Sequence, residues 1–199
     1  CLEVHGMRAG FTSIRRTLCC LTRVVIAWIL ARKNKLLPLR ASNMESFVDD
    51  VRDANASYAA SFTAQESPGR AGQRLLVLTC MDSRIVPHAL FGMKEGDMKV
   101  IRNAGGQLNP EVLKDIIIAS HLLDCDRIVI LPHTRCAMAS MPLAAMQSCL
   151  TEVSGLDFST FEPRVIEDTY GTLRQDVLTL KQHALIKAGI AIQGGIYNV

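Results

Sequence analysis

The stretch Leu75-Leu76-Val77-Leu78-Thr79-Cys80-Met81-Asp82-Ser83-Arg84 decides how the chain folds. Its first five residues form a short continuous run, apolar but for Thr79, the pattern of a strand covered on both faces. Such strands belong to parallel sheets packed between helices. The run ends in Cys80-x-Asp82-x-Arg84. Further along, Ile128-Val129-Ile130-Leu131 repeats the apolar pattern and ends in Pro132-His133-Thr134-Arg135-Cys136. Two thiols, one imidazole and one carboxylate gathered at the ends of neighbouring buried strands suit a soft-to-borderline divalent ion, and zinc fits best.

Working outward, Met98-Lys99-Val100-Ile101 repeats the strand pattern more weakly. Between it and the run over 127–131 lies Asn109-Pro110-Glu111, a helix start with an N-cap, Pro at the first helical position and an acid in the first turn. The helix continues through Val112, Leu113, Ile116, Ile117 and Leu122. Strand, helix and strand in this order form a βαβ unit with a right-handed crossover, and ligands then collect at the carboxyl ends of the strands. Upstream, Phe47, Val48, Val51, Ala54, Tyr58 and Phe62 recur at helical spacing, which predicts an amphipathic helix over 42–62 capped by Ser42 or Asn43. Downstream, the pattern predicts a Met- and Ala-rich helix over 137–150 interrupted near Pro142, a long amphipathic helix over 161–188, and a last strand over 190–197 with Gly194-Gly195 inside it. The fold class is α/β: a three-layer fold with a mainly parallel central β-sheet flanked by helices.

A chain of 199 residues that is 49% hydrophobic and 21% charged is globular rather than disordered. The formal charge of +3 is unevenly placed. Before Met44 there are eight basic residues against the single acid Glu3, leaving fourteen basic and eighteen acidic residues downstream. The body is mildly acidic and has no basic stripe with interleaved aromatics, so it is not read as a nucleic-acid binder. Residues 1–43 are read as a separate basic N-terminal extension and 44–199 as the catalytic domain. The extension's apolar run over 18–31 is too short to span a bilayer, so no stable membrane association is expected. One reading takes the segment before Met44 as non-native; its Arg richness resembles a transit peptide, and its basic start before an apolar core resembles a secretory signal. The expected location is cytoplasmic, or a mitochondrion or plastid if the extension is a transit peptide. Seven cysteines at irregular spacing do not form a small disulfide scaffold. Cys125 and Cys149 are read as buried small hydrophobes and the compartment as reducing.

Zinc held by two thiolates and one imidazole keeps a fourth position free, as a catalytic site requires. Two thiolates cancel the ion's formal charge, so a bound water is acidified less than by three neutral imidazoles and needs help from its surroundings. Asp82 can accept a hydrogen bond from the nucleophile, and Arg84 can hold that carboxylate bidentately and keep it ionised. In an extended segment Cys80, Asp82 and Arg84 point to the same side.

Cys80-x-Asp82-x-Arg84 ending one strand, Arg102-Asn103-Ala104-Gly105-Gly106 after the next, and His133-x-x-Cys136 after a third resemble a β-class carbonic anhydrase. The similarity covers 44–199, including Gly194-Gly195-Ile196-Tyr197. The resemblance implies zinc ligands Cys80, His133 and Cys136, one ion per subunit, with Asp82 and Arg84 as the catalytic dyad. It implies a homodimer, or a higher homo-oligomer, formed through exchanged N-terminal helices. It also implies the reaction: reversible hydration of carbon dioxide to bicarbonate and a proton, by attack of zinc-bound hydroxide oriented by the dyad. A sister activity on the same fold, hydrolysis of carbonyl sulfide or carbon disulfide, uses the same ligands. A zinc-binding regulatory protein with weakened catalysis is the alternative from another class.

Four positions depart from that family's usual pattern. Pro132 and Ala137 stand where glycines usually flank His-x-x-Cys, Arg135 where Asp is frequent, and Gln107 where Arg usually follows the paired glycines. An alanine forced to positive φ would be strained. Other chemistry-bearing residues have plainer readings. His88 could shuttle protons but is read as a surface or packing group. His121 is read as a core or helix-surface histidine, and Met81, Met93, Met98 and Met138 as core filler. Gly105-Gly106 either cradles an anion or permits a tight backbone approach to the metal loop.

Overall fold

The structure, a computed structural model, describes residues 41–63 and 69–199. Most of the basic extension therefore lies outside the described residues. The first helix, α1 (Ala41–Ser61), takes Ser42 and Asn43 into its first turn, where the sequence pattern made one of them the cap. It belongs to the first of the two units into which the chain divides. Phe47, Val48, Val51 and Tyr58 on it are all exposed, and the Tyr58 ring lies 5.4 Å from that of Phe62.

The second unit is built on four strands: β1 (Leu75–Cys80), β2 (Met98–Asn103), β3 (Arg127–Leu131) and β4 (Ala191–Gly194). They form one sheet in the order β2-β1-β3-β4, with all three pairings parallel. β1 is buried along its whole length, as its uninterrupted apolar run demands. Alternation divides its side chains between the two faces. Leu76 and Leu78 join Ile128, Ile130 and Ile192 on one face and pack on Val112, Ile116, Ala119 and Leu180. Those partners come from α3 (Pro110–Leu122) and α5 (Thr169–Gln182). Leu75 and Val77 face the other way with Met98 and Leu131, packed on Phe91 and Met93 just after the short α2 (Pro87–Leu90).

The connections set where a site can form. β1 leads to its neighbour β2 on one side. α3 then carries the chain back past β1 to β3 on the other side, so the two strands of the expected βαβ unit flank β1 rather than pair with each other. The winding reverses between β1 and β3, and at such a point a crevice opens beyond the carboxyl ends of the strands.

α3 starts as its sequence dictates: Asn109 Oδ1 accepts from the Val112 N–H at 2.9 Å, with Pro110 at the first position. The helix expected over 137–150 with an interruption near Pro142 is indeed broken there: a 3-10 turn (Ala137–Ala139) precedes the break and α4 (Leu143–Ser154) follows it, because Pro142 can begin a helix but not continue one. The helix expected over 161–188 is shortened to α5 for a local reason. Asp168 Oδ1 accepts from the Tyr170 N–H at 3.0 Å and caps the helix there, while upstream Ile166 N–H is already committed to Met138 O. β4 is shorter than the 190–197 expected, though Gly195 N–H still donates to Ile130 O and Tyr197 N–H to Pro132 O. Cys125 is buried as read from the sequence; Cys149 is only half-buried.

Ile116, fully buried between α3 and the sheet, is the most direct check of this core. Ile116→Ala is expected to lower unfolding stability by about 2–5 kcal/mol. In urea the midpoint should fall with an unchanged slope; an unmoved midpoint would remove the residue from the core.

Candidate metal centre

The register of β1 against β3 assembles the site. Thr79 pairs with Leu131, so Cys80 and His133 leave the sheet side by side. Thr79 Oγ1 donates to Leu131 O at 2.7 Å and ties the two strand ends together. A further short step brings in Cys136. The sulfurs of Cys80 and Cys136 and one ring nitrogen of His133 all lie within 4.8 Å of one another, and all three residues are buried. That span is close to twice a zinc–donor bond of about 2.0–2.3 Å.

The donor chemistry fits such an ion. His133 Nδ1 is 2.9 Å from Thr134 O, a carbonyl that can only accept, so Nδ1 carries the proton. Nε2 keeps the lone pair and is buried without a hydrogen-bond partner among the described residues. An orphaned buried acceptor costs about 1–3 kcal/mol unless something binds it. Burial also pushes the Cys136 thiol up, an effect opposed by the Met138 N–H. A divalent cation would satisfy the imidazole and stabilise the thiolates together. Among the described residues, Cys80, His133 and Cys136 form the cluster that could hold a metal, the set expected from sequence.

Asp82 and Arg84 flank this centre. Asp82 accepts from Arg84 three times: from the backbone N–H and Nε on Oδ1 at 2.9 Å each, and from Nη2 on Oδ2 at 2.7 Å. These side-chain and backbone bonds hold the Asp82 carboxyl well below the usual carboxylate range. Oδ2 lies 3.9 Å from His133 Nε2. The geometry that unites the pair differs from the extended alternation expected. The chain turns at Asp82, with Ile85 N–H donating to Asp82 O at 3.1 Å, and it is this turn that folds Arg84 back on the carboxylate.

Arg102 and Gly106, both within the motif Arg102-Asn103-Ala104-Gly105-Gly106, are positioning groups. Arg102 pairs with Thr79 across the sheet, and its guanidinium donates to Cys80 O at 3.0 Å and Asp82 O at 2.6 Å, pinning both ends of the loop between them. Gly106 sits at φ +65, where a Cβ would stand 2.8 Å from Cys80 N and 2.9 Å from Thr79 C. Gly106 therefore serves a tight approach to the metal loop, while a Cβ at Gly105 would meet the Gln107 and Ile166 side chains. Gln107 is buried, its Nε2 donating to Arg164 O at 2.9 Å and its backbone N–H accepted by Asn103 Oδ1. The strain expected at Ala137 falls on Arg135, which adopts φ 56 while Ala137 begins the 3-10 turn. His121 lies on the helix surface, a ring nitrogen 3.0 Å from Leu185 O. His88 is half-buried.

Fold and donor set together define an α/β protein with a Cys2His constellation at the sheet's switch point. The carbonic anhydrase family model matches residues 75–157, which contain all three candidate ligands. The β-carbonic anhydrase 1 of Mycobacterium tuberculosis is 26% identical over 151 residues, covering 76% of this chain and 91% of that protein. A carbon disulfide hydrolase of Acidithiobacillus thiooxidans is 25% identical over 147 residues, covering 64% of this chain and 73% of the relative. Among solved structures, the carbonic anhydrase of Streptococcus mutans superposes with a TM-score of 0.68 at 29% identity, over 76% of this chain and 91% of that one. The matched model, the β-carbonic anhydrase relatives and the solved structure agree on one likeness: the chain resembles β-carbonic anhydrases in sequence and in fold.

Two glycines separate conformational from steric cost. Gly92→Ala, at φ +61 with open space around it, is expected to cost about 1–2 kcal/mol and leave metal content intact. Gly106→Ala should cost more and lower bound zinc, because the new methyl pushes on the Cys80 backbone. Elemental analysis beside urea unfolding reads both, and full zinc in Gly106→Ala would refute the close-approach argument.

Proposed function

We propose that the protein catalyses reversible hydration of carbon dioxide to bicarbonate and a proton, with zinc held by Cys80, His133 and Cys136. The observation that carries this reading is the convergence of three buried donors beside an ionised carboxylate locked by Arg84. When bound, zinc supplies Lewis acidity that makes water a nucleophile near neutral pH.

The chain's own residues supply orientation. Asp82 stays ionised and has its position fixed by three donors from a single arginine, so its remaining lone pairs can accept a proton-bearing nucleophile from one direction. A carboxylate able only to accept selects the nucleophile's lone pair that faces the substrate. Arg102 holds the carbonyls at either end of the 80–82 loop, which keeps donor and carboxylate in one geometry. Ile85, Met138, Tyr197 and Val199 pack around the two thiols and give the centre an apolar wall, suited to a small uncharged substrate. The exposed apolar residues of α1 support a homodimer or larger homo-oligomer as the working form.

A second reading is favoured by the relatives named carbon disulfide hydrolase, from Acidithiobacillus thiooxidans and Saccharolobus solfataricus. The same ligands would serve carbon disulfide, which is also small and apolar.

Asp82→Asn keeps the shape of the side chain and removes its charge. It is expected to lower kcat/KM for carbon dioxide hydration by about a hundredfold or more while zinc content stays at the parent level. Unchanged turnover would sink the assigned role of Asp82. Cys80→Ser should instead lose zinc, and a variant with its full metal complement would remove Cys80 from the ligand set.

A further inference from the structure

The aim of His133 depends on one carbonyl, and that carbonyl is held from elsewhere in the chain. Thr134 O accepts from His133 Nδ1 at 2.9 Å, which leaves the Nε2 lone pair buried beside the two thiols, without a hydrogen-bond partner among the described residues. The remaining polar groups of Thr134 are all engaged by residues 197–199. Its N–H donates to Tyr197 O at 2.9 Å, its Oγ1 donates to Asn198 Oδ1 at 3.1 Å, and the same Oγ1 accepts from Val199 N–H at 3.0 Å. On the other side of His133, Tyr197 N–H donates to Pro132 O at 2.8 Å, so the imidazole is bracketed by residues tied to one short segment. Arg135, next in line, stands at φ 56. A non-glycine residue keeps such a conformation where the surrounding structure over-determines it. Tyr197 and Val199 also pack against Cys80, Ile85 and Cys136.

We propose that residues 197–199 act through Thr134 as a clamp that positions His133 for the metal, and that docking of this segment and metal binding are coupled. The proposal rests on the zinc reading above. Thr134 and Asn198 are positioning residues: they act on the ligand and not on the substrate. Coupling of this kind is reciprocal, so if the docked segment raises metal affinity, the metal must strengthen docking by the same factor.

The test uses the full chain. Thr134→Val removes Oγ1 while keeping the shape and both backbone groups. Its zinc affinity, measured by competition with a chromophoric chelator, is expected to fall about tenfold, in the range for partners that orient metal-bound imidazoles. The visible absorption of the cobalt(II)-loaded variant should change in band shape, and Thr134→Ser should restore both properties. Parent-like zinc affinity and cobalt spectrum in Thr134→Val would overturn the clamp. A second measurement needs no substitution: amide hydrogen exchange of the unmodified chain, zinc-loaded and chelator-stripped. The amides of Thr134, Tyr197 and Val199 are expected to exchange faster once the metal is removed; equal rates in both states would overturn the coupling. A parent chain that bound neither zinc nor cobalt would overturn the proposed function together with the clamp. A parent that binds zinc, beside a Thr134→Val variant that binds it equally well, would overturn the clamp alone.

Discussion

The parallel pairing of β1 with β3 is the constraint on which everything else rests. With Thr79 opposite Leu131, the last residue of β1 and the second residue past β3 become neighbours, and both carry metal-binding side chains. The side-chain period of a strand is two, so a slip of one residue would turn Leu76 and Leu78 away from α3 and α5 and swing Cys80 out of the centre. The core and the site are therefore specified by the same apolar residues. Burial of β1 on both faces makes the register costly to change, and the site inherits that rigidity.

Around this axis the chain controls two opposing electrostatic demands. The thiols and the imidazole are buried, where they lack compensation until a cation arrives. Asp82 is partly exposed and already compensated by Arg84, so it stays ionised without the cation. Placing the compensated group at the rim and the uncompensated ones inside reserves the interior for the metal. Backbone contacts hold the arrangement: Arg102 binds the carbonyls of Cys80 and Asp82, and Gly106 lies against the Cys80 amide where no side chain fits. Two of the positions that depart from the β-carbonic anhydrase pattern keep only part of their bonding: Gln107 Nε2 donates to the Ala104 and Arg164 carbonyls while its Oε1 stays buried without a partner among the described residues, and Pro132, just past β3, keeps its carbonyl in use by the Tyr197 N–H.

The strands and the three candidate ligands were legible because continuous apolar runs and soft donors are local signals that the sheet preserves. Asn109-Pro110 marked the start of α3 to the residue, since capping chemistry is confined to a few positions. The helix over 161–188 was overdrawn for the converse reason: apolar periodicity extends past Asp168, but the Asp168 cap and the Ile166 bond to Met138 O decide where the helix begins. Side-chain spacing suggests an extended alternation of Asp82 and Arg84, whereas the two are hydrogen-bonded across a turn, because a single turn bond at Ile85 is invisible to spacing. The contributions of Arg102 and residues 197–199 depend on backbone carbonyls brought close by the sheet, and no motif of side-chain types could reveal them.

The measurement that bears most directly on this account is stopped-flow hydration of carbon dioxide by the zinc-loaded chain, set beside carbon disulfide hydrolysis by the same sample. The account requires carbon dioxide hydration well above the buffer rate, proportional to bound zinc and abolished by chelation. Zinc bound at full occupancy with no hydration above buffer would contradict it; sulfide release from carbon disulfide in that sample would then assign the site to the sulfur substrate.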